Sequence, residues 1–225
     1  MEPFLPDQAP KPDVDPSEVE LSRLAKAMRA CRICRDMPIG GTLPHEPRPI
    51  FVVSRRARIL IASQAPGVRA HQSGIPFQDP SGIRLRQWLG VDEDAFYNPA
   101  NFAILPMGFC FPGHDRQKGD LPPRVECAPA WQRQALDLMP QIELILLVGS
   151  HSQRFHLGAN RAMATTVGDW RQILASSNKP NVLPLPHPSW RNSSWLKRNP
   201  WFEDELLPVL QHRVRLLLQS NGAAS

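Results

Sequence analysis

The stretch IELILLVGS (142–150) decides the fold: seven residues from Ile142 on, with Glu143 the one polar break, run into Gly149 and Ser150. An apolar run of that length, closed by a turn signal, reads as a strand buried on both faces, the condition of a strand inside a parallel sheet. Working outward, ARILIAS (57–63) is a second such run, stopped by QAPG, and ANFAILPMGF (100–109) and NVLPLPHPS (181–189) are two more. Between them lie helical patterns, SGIRLRQWLG (81–90), APAWQRQALDLM (128–139) and HSQRFHLG (151–158). Strands that alternate with helices predict an α/β fold, a three-layer α/β/α sandwich on a central, mainly parallel four-stranded sheet, with its site at the carboxyl ends of the strands.

The margins follow from composition. Residues 1–20 hold five prolines and six acids (Glu2, Asp7, Asp13, Asp15, Glu18, Glu20) against Lys11 alone, and read as a disordered tail before one domain over 21–220. Within that border an S-x-x-E pattern at Ser17 opens a helix over SEVELSRLAKAMRA (17–30). The closing run WFEDELLPVLQHRVRLLLQS (201–220) is an amphipathic helix that Pro208 is expected to bend. The chain's net charge of +5 combines −5 from residues 1–20 with +10 from the rest. A body of that sign suits a polyanionic partner, although a merely solvated basic face would look the same. No stretch reaches the roughly 20 apolar residues of a membrane span, and the start lacks the order of a signal peptide. A cytoplasmic protein without membrane contact is expected, and a monomer, because no heptad repeat is present.

Two loops follow predicted strands: Ser63-Gln64-Ala65-Pro66-Gly67 after the first, and His187-Pro188-Ser189-Trp190-Arg191-Asn192 after the last. Both emerge at the same sheet edge. Pro66 and Gly67 suit a rigid turn with exposed backbone N–H groups, and His187 can offer a hydrogen bond to an anion; each loop by itself also reads as ordinary punctuation of a strand end. The four cysteines are Cys31 and Cys34, as C-x-x-C, and Cys110 and Cys127. In a reducing compartment they form a metal or iron–sulfur site, or are four small buried hydrophobes.

Taken together, SQAPG, the aromatic Phe77 in GIPFQDPSG (74–82) and the intact H-P-S at His187, Pro188 and Ser189 resemble, in order, the motifs of the uracil-DNA glycosylase superfamily. The cysteine order resembles its bacterial and archaeal iron–sulfur branch. The resemblance implies an enzyme of DNA repair by base excision, which hydrolyses the N-glycosidic bond of uracil in DNA to leave an abasic site. It also implies a structural [4Fe–4S] cluster on Cys31, Cys34, Cys110 and Cys127, with zinc as the other Cys₄ possibility. Phe77 would stack on the extruded base, among Ala65, Pro66, Gly67 and Ser189 as substrate-binding residues.

The departures carry information as well. Ala65 stands where a relative places a water-activating Asp, which excludes a carboxylate base at that position. The residues before Cys110 (Leu105, Pro106, Met107, Gly108, Phe109) lack the Asn that reads uracil in the iron–sulfur branch, leaving Asn101, and after it Asn98, as substitutes. His187 is expected to donate to the departing base, with Gln64 and Asp79 as further catalytic candidates; Asp79 before Pro80 also reads as a helix cap. Trp190, Arg191 and Asn192 are expected at the DNA, filling the gap left by a flipped base or gripping phosphates. Trp201 and Phe202 read as core packing. The rivals to an enzyme are a non-catalytic relative that binds abasic or single-stranded DNA, and an iron–sulfur scaffold or redox protein.

Overall fold

The computed structural model describes residues 15–115, 119–158, 160–177 and 179–222. Four strands, β1 (Ile59–Ala62), β2 (Phe102–Ile104), β5 (Leu144–Val148) and β6 (Asn181–Leu185), form the central sheet in the order β2-β1-β5-β6. Every pairing is parallel, with Ile59 opposite both Phe102 and Leu144, and Leu144 opposite Asn181. Two further strands, β3 (His114–Asp115) and β4 (Gly119–Asp120), make a separate antiparallel hairpin that the apolar pattern does not announce.

Around the sheet run α1 (Pro16–Arg29), α2 (Ile33–Asp36), α3 (Val68–Ser73), α4 (Pro80–Leu89), α5 (Glu93–Tyr97) and α6 (Cys127–Asp137). The second half adds α7 (Ser150–Leu157), α8 (Met163–Gly168), α9 (Trp170–Ser176), α10 (Ser193–Arg198) and α11 (Leu207–Gly222). The three layers follow from strand alternation. Leu144, Leu146 and Val148 of β5 join Leu85, Trp88, Phe202, Leu210 and Val214 in one core, while Ile145 and Leu147 join Leu21, Met28 and Ala135 in the other. Because both faces are covered, no polar residue interrupts β1 or β5. Pro184 is tolerated inside β6 because β6 is an edge strand.

Two margins depart from expectation. The first helix begins before the expected domain border at 21, and Asp15 rather than Ser17 caps it, its carboxylate accepting the Ser17 N–H at 2.9 Å. Pro16, counted with the tail for its type, sits where a missing N–H costs a helix nothing. Residues 1–14 of the expected tail lie outside the described residues. At the other end, the irregularity falls before Pro208, as a π-helical turn over Phe202–Leu206 in which Leu207 N–H donates to Phe202 O. Among the described residues no helix is long and apolar enough to cross a membrane.

Candidate active site

The carboxyl ends of β1, β2, β5 and β6 open into one cleft of about 720 Å³. Residues 63–67, Pro106, Gly149, Ser150 and residues 187–192 line it from the strand ends; Phe77, Asp79, Arg84 and the β3–β4 hairpin complete the wall. The loop after β1 is held by continued pairing: Ser63 O accepts from Met107 N–H at 2.9 Å, and Gln64 O from Gly108 N–H at 3.0 Å. Its backbone is therefore fixed, and the Gln64 side chain reaches toward Gly149.

His187 is partly buried between Gly149 and the cleft. Burial lowers its pKa from the usual value, and the carboxylate of Asp79 opposes that effect without cancelling it. The imidazole is thus neutral at pH 7 and can donate one N–H. Asn192 orients this loop by donating Nδ2–H to His187 O at 2.7 Å. Asn192 itself also lines the cleft. Ser189 lines the cleft, and its carbonyl accepts from Arg84 Nη1 at 3.2 Å.

Phe77 faces both ways. It lines the cleft while packing against the core, edge-on to Phe96 with ring centroids 6.0 Å apart. Its backbone adopts φ 58°, unusual for a bulky residue, and its carbonyl folds so tightly onto α4 that only a glycine fits at position 82. Asp79 caps a helix, as its place before Pro80 suggests, and also lines the cleft. One oxygen caps α4 by accepting Gly82 N–H at 2.9 Å, and the other stands 3.9 Å from where a Cβ on Gly67 would lie.

Asn101 corrects the expectation placed on it. It is absent from the cleft wall, and its Nδ2 donates to Ala95 O at 3.0 Å, closing the end of α5. Asn98 is likewise used locally, accepting Ala100 N–H at 2.9 Å. Trp190 is 76% exposed at the cleft mouth, with the Arg191 guanidinium 5.8 Å from its ring centroid. Trp195, Trp201 and Phe202 pack edge to face against one another, which bears out the packing reading for Trp201 and Phe202.

Sequence reasoning missed Gly149, Arg84, His114, Gly119 and Asp120. Gly149 alone carried a signal, a glycine directly after the clearest strand at the end where α/β sites form. The hairpin residues carried none.

All four cysteines are free. Cys34 and Cys110 share a small apolar cluster with Leu43, and Trp131 Nε1 donates to Cys31 Sγ at 3.3 Å. Burial pushes the Cys110 and Cys127 thiols up to about 12, and the neighbouring cysteines push in the same direction. The four thiols therefore share one neighbourhood. Among the described residues, however, no three His, Cys, Asp or Glu side chains are grouped to hold a metal ion. A single tetrahedral zinc with bonds of about 2.3 Å needs sulfurs about 3.8 Å apart; a polynuclear cluster accepts a wider set.

A family model described as Uracil DNA glycosylase superfamily matches residues 50–211. The match spans the whole central sheet and every cleft residue named above, and Cys31 and Cys34 precede it.

Proposed function

Since the chain belongs to the uracil DNA glycosylase superfamily, we propose that it removes uracil from DNA by hydrolysing the N-glycosidic bond, leaving an abasic site. The observation that carries this reading is the convergence of Gln64, Phe77, Asp79 and His187 on one cleft from three separated stretches of sequence. An extruded pyrimidine stacks on Phe77. As the bond from C1′ to the base nitrogen breaks, its electron pair leaves with the base and the sugar becomes cationic. The neutral His187 N–H donates to the oxygen on which the negative charge collects, an interaction stronger in the transition state than in the ground state. Water then adds to C1′.

Trp190 and Arg191, exposed at the cleft mouth, are placed to meet the DNA around the extruded nucleotide. Cys31, Cys34, Cys110 and Cys127 would hold a [4Fe–4S] cluster of structural role, tying the chain after α1 to the start of α6. Their shared, mostly buried neighbourhood supports this, with zinc as the other ion that four cysteines would hold.

The test is an oligonucleotide with one uracil, incubated with the protein and then treated with hot alkali. Strand cleavage at the uracil is expected. Binding of abasic DNA without cleavage at any deaminated base would replace the enzyme by a binding module, a reading favoured by Ala65 and by the engagement of Asn101 outside the cleft.

A further inference from the structure

The first motif loop carries Ala65 where a carboxylate could have served, but the fold brings a carboxylate to that loop from elsewhere. Asp120, on β4, lines the cleft. One of its oxygens, Oδ1, is held 2.8 Å from His114 Nδ1 across the hairpin. The other, Oδ2, stands 3.5 Å from where a Cβ on Gly67 would lie, the same point that Asp79 Oδ2 approaches to 3.9 Å. Each carboxylate thus has one oxygen anchored, Asp79 by the α4 N-terminus and Asp120 by His114, and one turned toward Gly67.

The hairpin is fastened on three sides. Leu121 N–H donates to Gly113 O at 2.9 Å, and the rings of Phe111 and His114 meet edge to face at 4.9 Å. On the far side the Arg191 guanidinium lies directly over Gly119, whose φ of 89° and bare α-carbon leave room for it. Asp120 is therefore positioned by contacts to its own hairpin and to the loop that bears His187. Its side chain is 46% exposed into the open cleft.

We propose that Asp120 is a catalytic residue of this chain, the carboxylate that faces the cationic sugar as the base departs. This rests on the glycosylase reading and deepens it. The C1′–N bond breaks with its electron pair on the base, the negative Oδ2 of Asp120 stabilises the positive charge shared by C1′ and the ring oxygen, and water adds to C1′ and releases its proton to solvent. His187 serves the leaving group from the β6 side, and Asp120 serves the sugar from the Gly67 side. The position left without charge at Ala65 is compensated from a hairpin 55 positions further along the chain.

The experiment uses charge complementarity rather than turnover. Affinity is measured for two DNA duplexes that differ only in the abasic analogue, a cationic pyrrolidine or a neutral tetrahydrofuran. Wild-type protein should prefer the cationic duplex by about 10-fold or more, in keeping with the 10²–10³-fold that one preorganised polar group typically contributes in a transition state. D120N should lose most of that preference while binding the neutral duplex as before, and D120E should keep part of it. Melting curves of both variants establish that the hairpin change leaves the fold intact. A D120N protein with the full preference overturns the role of Asp120 and leaves the glycosylase reading standing. A wild type that binds neither duplex overturns the glycosylase reading itself.

Discussion

The α-carbon of Gly149 lies against the imidazole of His187: a methyl group on it would stand 3.3 Å from His187 Cβ and 3.7 Å from its Cδ2. The turn between β5 and α7 thereby sets how deep the histidine sits, and the φ of 90° at Gly149 holds that turn. G149A combines a backbone conformation that costs an alanine roughly 1–3 kcal/mol with a push on the ring. It should lower single-turnover excision of uracil far more than it lowers the melting temperature. A variant with wild-type excision would show that the depth of His187 is unimportant.

His187 acts as a neutral donor in this scheme, because burial lowers its pKa. H187A should reduce single-turnover cleavage by about 10²-fold or more with little change in DNA affinity. The ratio of wild-type to H187A rates should also stay level between pH 6.5 and 8. A ratio that falls about tenfold per pH unit in that window would mean that the imidazolium is the active form.

His156 offers a separate pH handle, remote from the cleft wall. Its Nε2 is buried without a hydrogen-bond partner, and burial lowers its pKa to about 4. The unfolded chain, with an ordinary value near 6.5, binds the proton first as pH falls. The stabilisation from keeping this histidine neutral is therefore complete above about pH 6.5 and lost progressively toward pH 4. Urea unfolding should show stability falling through that window by an amount on the order of 1–3 kcal/mol from this group, and H156F should flatten the slope. An unchanged slope would assign acid sensitivity to other histidines, such as His71 and His151, whose pKa values burial also lowers.

Much of the sheet was legible because burial on both faces forces long apolar runs: each of the four runs contains its strand, and Leu144–Val148 lies inside the stretch read first. The two motif loops were legible as turns at strand ends. What escaped reading depends on pairings between distant residues. The β3–β4 hairpin is two residues per strand and polar, so it leaves no period, yet it supplies His114, Gly119 and Asp120 to the cleft. Asn101 misled for the opposite reason: an amide near a site was read as facing it, whereas the local carbonyl of Ala95 claims that group.

The cysteines give a prediction of colour and stability. Protein purified without oxygen should be brown and absorb near about 400 nm, with iron in excess of zinc by elemental analysis. C110S should lose the absorbance, and because the ligands come from segments on both sides of β1, it should also lower the melting temperature. A colourless protein that contains one zinc would replace the cluster by an ion, and a metal-free protein of equal stability would leave four free thiols.

The φ of 58° at Phe77 puts the aromatic ring over the cleft on a backbone shape that resists any side chain. Backbone strain and the contacts of the ring are consequently opposed at this one position. F77G relaxes the backbone but removes the ring from both the cleft and Phe96; F77A removes the ring and keeps the strain. F77G should therefore melt at or above F77A, while both lose excision to a similar degree. The packing of the ring on the core and its place in the cleft together hold the phenylalanine against a backbone shape that by itself would favour glycine.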